Sequence, residues 1–394
     1  MKEFDTDLHI HSRYSRGVSP LMDLEIIDRM AHIKGINIVA TGDCLYLDWL
    51  KELESKLEEI DNTYRFGETY YILQCEVETT LKGRVHHLIF FPSVSSVHEL
   101  RDKVLTKGYS KLTTGRPALK LSPERLVEMV SDVGALIGPS HAFTPWTSMY
   151  AFYESTTDCY GRNTSEVHFL ELGLSADTTM ARTLSELNNC AFVSFSDAHS
   201  PYPDKLGREF TRLKLKNPSF TEIKKALMQV KGREITTNVG LDPREGKYHL
   251  TGCTRCKTAY SLEDIIENGT VLKVCPSCGG RLKIGVKDRI TMLSQKNSRG
   301  PKLKRPPYIH IVPLLEILRA IQGHSTTKTK SVQHMYYQLI EEFETETNIL
   351  IDIPLVEIAQ GHQKLAEILQ KFREDRIEFE FVGRAGKYGK IKIQ

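Results

Sequence analysis

Asp7-Leu8-His9-Ile10-His11 puts two histidines one residue apart where a short apolar run ends. Side chains of extended chain alternate with period two, so His9 and His11 face the same way and can chelate one centre. Ser196-Asp197-Ala198-His199 repeats the arrangement far along the chain, with Asp197 and His199 paired in the same sense. Between them lie Asp43 after the run 36–40, Glu76 after 70–74, His86-His87 beside Leu88-Ile89-Phe90, and His141 after 135–138. A lone His-x-His is more often a half-buried or surface pair than a ligand. Several candidate ligands that each follow an apolar run form a pattern no solvated surface requires. Neutral imidazoles mixed with carboxylates suit Zn, Mn or Fe.

Placement at strand ends also points to a fold. In a parallel α/β barrel the strand ends at one face converge on a single cavity, where ligands distant in sequence meet. Over 1–240 the chain alternates short apolar runs with amphipathic segments. The pattern predicts helices over 21–32, 122–130 and 178–187, and strands over 36–40, 135–138, 167–172 and 191–195. Ser122-Pro123-Glu124 supplies an N-cap, a proline in the first turn and an acid near the helix dipole.

At 394 residues the chain exceeds what one core usually holds, so two or three domains are expected. Hydrophobic residues at 40% and charged residues at 26% belong to an ordinary folded protein, not a disordered one. No apolar run reaches the roughly 18 residues of a membrane span, and no secretory signal precedes the histidines. The expectation is a cytoplasmic protein, monomeric and without membrane partners.

Of eight cysteines, Cys253, Cys256, Cys275 and Cys278 form two C-x-x-C pairs eighteen residues apart. That is tetrahedral zinc spacing, and a ribbon of about forty residues needs the metal to hold a core. Cys44, Cys75, Cys159 and Cys190 read as buried apolar thiols. A basic stretch follows the ribbon: Arg281, Lys283, Lys287, Arg289, Lys296, Arg299, Lys302, Lys304 and Arg305, against the single acid Asp288. Next to a zinc ribbon it suggests phosphate binding. The net charge of +3 is modest, so any nucleic-acid surface should be a localised track. Beyond Pro306-Pro307, helical spacing recurs at 311–322, 332–343, 355–359 and 365–372. A strand pair joined by the glycine-rich basic turn 383–390 ends the sequence, and such a turn can wrap a phosphate or stack on a base.

The domains are therefore 1–240, a metal-dependent barrel; 241–299, a zinc ribbon with basic linker; and 300–394, a helical or α+β nucleic-acid-binding domain. Asp7-Leu8-His9-Ile10-His11-Ser12, Thr41-Gly42-Asp43, Glu76, His87, His141 and Ser196-Asp197-Ala198-His199 together resemble the polymerase and histidinol phosphatase (PHP) superfamily. That resemblance implies a distorted seven-unit α/β barrel, up to three divalent ions (Zn, Mn or Mg) and phosphoester hydrolysis. With the ribbon and Arg305-Pro306-Pro307-Tyr308-Ile309-His310-Ile311, the whole chain resembles the endonuclease Q family. The family resemblance implies cleavage of DNA on the 5′ side of deaminated bases such as uracil, hypoxanthine and xanthine, and at abasic sites, with damaged DNA and downstream repair proteins as partners.

The resemblance assigns metal ligation to His9, His11, Asp43, Glu76, His87, His141, Asp197 and His199. Glu76 would bridge two ions. Which of His86 and His87 ligates stays open, although His87 fits the family pattern better. Two positions depart from the superfamily. Thr41-Gly42-Asp43-Cys44 stands where Thr-Asp-His is usual, and Arg16 stands where an acid or histidine is usual. A guanidinium cannot bind metal but can clamp a phosphate, a role for Arg16 or Arg13. Trp146, Tyr150, Phe152 and Tyr153, beyond His141, could wall a pocket for an extruded base. A small-molecule phosphatase would need neither ribbon nor basic tail. An inactive nucleic-acid scaffold would leave buried histidines and carboxylates with no ion to stabilise them.

Overall fold

In the computed structural model, which describes residues 1–60, 63–267, 270–294 and 303–393, the strand Lys2–Asp7 is paired on both sides. It runs parallel to Ile38–Ala40 and antiparallel to Phe210–Leu215. One side continues in parallel to Thr69–Thr79. The other continues antiparallel to Glu234–Gly240 and then parallel to Tyr308–His310. Thr69–Thr79 pairs antiparallel with Val85–Phe91, which pairs antiparallel with Leu136–Pro139. Phe169–Glu171 and Ala191–Val193 form a separate parallel pair.

The α/β class matches the sequence pattern, but the sheet is mixed where a parallel one was expected. Only residues 80–84 connect Thr69–Thr79 to Val85–Phe91. A parallel crossover needs a dozen or more residues, so this link can make only a hairpin.

Helix ends follow local chemistry. Leu24–Lys34 starts where the Asp23 side chain accepts the Ile26 N–H, and it stops at Gly35, whose φ of 85° is left-handed. It thus begins three residues later than the sequence pattern suggested. Pro123–Asp132 starts at Ser122 as expected and buries Leu126, Val127, Met129 and Val130. The helix expected over 178–187 breaks into Thr178–Ala181 and a 3-10 turn, Ser185–Leu187. The β-branched Thr178, Thr179 and Thr183 weaken helix propagation there.

In the ribbon, Gly252–Cys253 pairs with Leu282–Lys283 over a small core that, among the described residues, buries Cys253, Ile265, Cys275 and Leu282. A short helix, Leu262–Ile265, is capped by Ser261, whose side chain accepts the Asp264 N–H. Of the basic stretch, Lys296, Arg299 and Lys302 lie outside the described residues. Further on, Leu314–Ile321 and Lys330–Phe343 form as expected. The two segments foreseen at 355–359 and 365–372 join into Leu355–Arg373, interrupted at His362 with φ −135° and ψ 53°. Phe379–Phe381 and Lys390–Ile391 make the terminal antiparallel pair.

The last third of the chain is bonded to the first. Lys34 Nζ lies 2.8 Å from Glu346 Oε1, and both side chains are 1% exposed. Lys34 also donates to Pro203 O, while Glu346 accepts from Leu314 N–H and Tyr336 OH. A buried pair of this kind sets register more than it adds stability, and removing one member strands the other. Lys34→Met alone should destabilise the fold by about 3–5 kcal/mol. Chemical denaturation should show that loss, with much of it recovered in Lys34→Met combined with Glu346→Leu. A change below 1 kcal/mol in the single variant would contradict the pair's role.

Candidate metal centre

Strand ends deliver the polar residues. Lys2–Asp7 leads to His9 and His11, Thr69–Thr79 carries Glu76 and Glu78, and Val85–Phe91 carries His86. Leu136–Pro139 leads to His141, Phe169–Glu171 ends in Glu171, and Ala191–Val193 leads to Asp197 and His199. A parallel bridge between Ile10 and Ala198 sets the two paired motifs side by side. In it, His11 N–H donates to Ala198 O at 3.0 Å.

His9 Nδ1 lies 2.9 and 3.0 Å from the two oxygens of Glu171, and His11 Nδ1 lies 3.0 Å from Asp43 Oδ1. These bonds aim both Nε2 atoms inward. His9 Nε2 is 3.7 Å from Glu76 Oε1 and 3.5 Å from Asp197 Oδ1. His11 Nε2 is 3.4 Å from Glu76 Oε2 and 3.3 Å from Asp197 Oδ1. Both Nε2 atoms, Asp197 Oδ1 and His86 Nδ1 are buried without a hydrogen-bond partner. Such atoms facing one another are costly unless a cation lies between them, so the donor set fits divalent metal. Three overlapping groups have ligand atoms within 4.8 Å of one another: His9, His11 and Glu76; His11, Asp197 and His199; Glu76, His86 and His141.

Electrostatics agree. Burial opposes a charged His9, yet Glu171, Asp197 and Glu76 outweigh it and lift its pKa to about 9. Burial likewise opposes charge on His11, and Asp43, Asp197 and Glu76 raise it well above the usual histidine range. Glu76 is held well below the carboxylate range, against its burial, by His86, His11 and His141. The cavity demands positive charge, which either protons on the imidazoles or metal can supply.

The backbone is bent to present these groups. Asp43, His141 and Asp197 have φ of 46°, 29° and 48°, a left-handed conformation costing about 1–3 kcal/mol for residues other than glycine. Gly42 and Gly173 make room for them. A Cβ on Gly173 would lie 2.6 Å from His141 Cβ, and one on Gly42 would lie 2.9 Å from Ile10 O.

Four expectations change. His87 faces away: its Nε2 is 3.0 Å from Thr79 Oγ1, its Nδ1 is 3.1 Å from Tyr160 OH, and burial pushes its pKa down to about 3. Hairpin register decides this, because Glu78 lies opposite His86 and Val77 opposite His87, and alternate side chains take opposite faces. His86 therefore joins Glu76, at 2.9 Å from Nδ1 to Oε1, and its Nε2 lies 3.0 Å from Glu78 Oε2.

Asp43 is the second change. One oxygen meets His11 Nδ1 and the other accepts from Ser12 N–H and Oγ, each at 2.7 Å, so the geometry makes it the group that orients His11. Arg16 is exposed, and Arg13 is paired with Glu52 and Asp23, so neither reaches the cluster. Arg116 does, with Nη1 3.2 Å from Glu76 Oε2. Lastly, Lys283 and Arg289 of the basic stretch bind protein. Lys283 Nζ donates to Pro145 O and sits 3.1 Å from the Trp146 ring centre, and Arg289 donates to Tyr150 O and Tyr153 O. Arg305 similarly donates to Leu187 O and Cys190 O.

Sequence reasoning passed over Glu171 and Arg116. Glu171 carried the same signal as the others, an acid ending the apolar run Phe169-Leu170, whereas Arg116 sits in a loop with no pattern to mark it.

The cluster opens into a cleft of about 450 Å³ lined by Arg84, Arg116, Trp146, Lys247, Tyr248 and Tyr388, among others. A larger cavity, about 550 Å³, lies between residues 143–154 and the ribbon and holds none of the clustered histidines. Of the aromatics beyond His141, Trp146 alone lines the metal cleft. Tyr150 stacks on Phe143 in the core, Tyr153 is buried, and Phe152 abuts Gly83.

In the ribbon, Cys253 Sγ is 3.5 Å from Cys278 Sγ, and Cys256 Sγ is 3.8 Å from Cys275 Sγ. A disulfide would need about 2.05 Å. Four sulfurs about 2.3 Å from a tetrahedral zinc are spaced as these are, and all four thiols fall in one cluster.

Comparison with known proteins adds three relatives. The lesion-specific endonuclease PfuEndoQ from Pyrococcus furiosus is 44% identical, with a TM-score of 0.92, covering 100% of this chain and 96% of that one. An Endonuclease Q complex with a 27-mer duplex bearing an abasic lesion at the active site is 43% identical, with a TM-score of 0.90, covering 100% and 97%. An uncharacterised Methanocaldococcus jannaschii protein, MJ0043, is 40% identical over 274 residues, which is 68% of this chain; the match covers 33% of that protein's length. Residues 313–376 match the family described as MJ0043 C-terminal domain.

Metal analysis separates the two adjacent histidines. His86→Asn should lose metal from the histidine–carboxylate cluster while keeping metal at the four cysteines, and His87→Asn should keep both. Equal metal loss in the two variants would contradict the register argument. Glu171→Gln should weaken metal binding at the histidine–carboxylate cluster about 10–100-fold by freeing the His9 ring, read by calorimetric titration.

Proposed function

We propose that this chain, which belongs to the endonuclease Q family, nicks DNA on the 5′ side of deaminated bases and at abasic sites by attack of water on the phosphodiester. The observation that carries the reading is the coincidence of full-length similarity to a lesion-specific endonuclease with a cleft that ends in clustered imidazoles and carboxylates. His9, His11, Glu76, His86, His141, Asp197 and His199 would hold divalent ions, and the four ribbon cysteines a zinc. Such ions supply Lewis acidity and bring the pKa of water towards ~7.

The remaining work falls to the protein. Glu171 and Asp43 fix the rings of His9 and His11 through Nδ1. The Arg116 side chain, 27% exposed beside Glu76, can grip a non-bridging phosphate oxygen and offset the charge that develops there. Arg84 is tied to Glu78, which bonds His86, so the cleft rim is coupled to a candidate ligand.

A base stacked in a duplex hides its Watson–Crick edge, so the lesion must be turned out of the helix. That costs a few kcal/mol, and less at mismatched or missing bases. Trp146, Tyr248 and Tyr388 give the cleft an aromatic wall, and Ser175 and Thr144 add polar groups.

The test is cleavage of an end-labelled duplex with one deoxyuridine or deoxyinosine, beside an undamaged duplex, with Mg²⁺ or Mn²⁺. A single nick on the 5′ side of the lesion is expected, with Asp197→Ala at least about a hundredfold slower but still binding the duplex. No nick, together with turnover of a generic phosphomonoester, would replace this reading with a small-molecule phosphatase. Binding should also weaken steeply with salt if the proposed interface contacts phosphates.

A further inference from the structure

The metal cleft and a second cavity of about 530 Å³ share Tyr388 as a lining residue. The second cavity carries Lys205, Arg208, Arg319 and Lys390 beside Asp204, Glu245 and Glu316, with Lys205 paired to Asp204 and Arg319 to Glu316. Tyr388 belongs to the glycine-rich turn near the end of the chain, and that turn is firmly held. Gly383 N–H donates to Arg244 O at 2.8 Å, Gly386 N–H to Lys247 O at 2.9 Å, and Gly389 N–H to Glu245 O at 2.9 Å. Lys257 Nζ donates to Ala385 O at 2.9 Å. Gly383 and Gly389 press against the backbone of Gly246 and Arg244, where a Cβ would not fit. The result is a tyrosine 64% exposed on a fixed backbone. Core packing does not account for that placement.

Trp146, the other exposed aromatic of the cleft, is already engaged. The Lys283 ammonium covers its ring, and Tyr248 meets it edge-on at 5.6 Å. Among the described residues Tyr388 has no ring-to-ring partner, only the Lys247 ammonium 5.5 Å from its centre. An exposed aromatic side chain between the metal cleft and a second cavity is suited to a base stack. We propose that Tyr388 is the wedge that enters the stack where the lesion nucleotide leaves it, with that nucleotide in the metal cleft. This rests on the lesion-nicking reading above. Stacking of the ring on the exposed neighbouring base offsets the cost of opening the helix.

A wedge matters only where there is a stack to open, which sets the test. Single-turnover nicking of one deoxyuridine strand is compared paired and unpaired, for the wild type, Tyr388→Ala and Tyr388→Trp, each checked for unchanged zinc content and melting temperature. Tyr388→Ala should slow the paired substrate about tenfold or more and the unpaired one less than about threefold, and Tyr388→Trp should restore the paired rate. In an Asp197→Asn background, 2-aminopurine next to the lesion should brighten on binding only when residue 388 is aromatic. Equal slowing of both substrates, no slowing of the duplex, or brightening with alanine would overturn the wedge. Failure of the wild type to nick either substrate would instead sink the lesion reading, and the 2-aminopurine signal would still judge the wedge by itself.

Discussion

Buried opposite charge organises this molecule. Glu76, Asp197, Glu171 and Asp43 share a cavity with His9, His11, His86, His141 and His199, and protein atoms leave His9 Nε2, His11 Nε2, His86 Nδ1 and Asp197 Oδ1 without a hydrogen bond. Everything near the cavity serves to hold that arrangement. Strand ends set the positions, and left-handed residues at Asp43, His141 and Asp197 turn the side chains. Carboxylates behind the histidines fix which nitrogen faces inward. The cost of strain and desolvation is sustained only if a cation returns it, which is why the geometry speaks for metal more strongly than any one residue does.

The later parts of the chain build the cleft as well as enlarging the molecule. The ribbon strand that pairs with Cys253 carries Lys283, and Lys283 grips the loop after His141 at Pro145 and Trp146. Arg289 grips the same loop further along. Ribbon folding, which four thiolates around zinc would secure, is thereby tied to the shape of the cleft wall. From the other side, the Lys34–Glu346 pair and the strand Tyr308–His310 join the helical region to the sheet, and the terminal turn reaches back to place Tyr388.

Much of this was legible because ligand chemistry and strand ends both leave local marks. His-x-His, Ser196-Asp197-Ala198-His199 and the paired C-x-x-C motifs name their chemistry by spacing alone, and the α/β class follows from short apolar runs alternating with capped helices. What stayed hidden depends on pairing across the sheet. The choice between His86 and His87 is a matter of hairpin register, one residue turning the side chain to the other face. Asp43 looked like a ligand because its place in sequence could not show that both oxygens were already bonded. Arg116 replaced Arg16 because loop positions carry no periodic signal. The basic stretch was read as phosphate-binding, yet Lys283 and Arg289 donate to carbonyls of the neighbouring loop. Composition cannot distinguish the two uses.

The central claim is that cations occupy the histidine–carboxylate cavity. It is tested most directly by anomalous diffraction from crystals of the protein grown with Mn²⁺, recorded on both sides of the manganese and zinc edges. The account predicts peaks among His9, His11, Glu76, His86, His141, Asp197 and His199, and a separate zinc peak within the four cysteines, with His87 and Asp43 outside every coordination sphere. No peak in the histidine–carboxylate cavity, with the Nε2 atoms of His9 and His11 hydrogen-bonded to Glu76 or Asp197 instead, would contradict it.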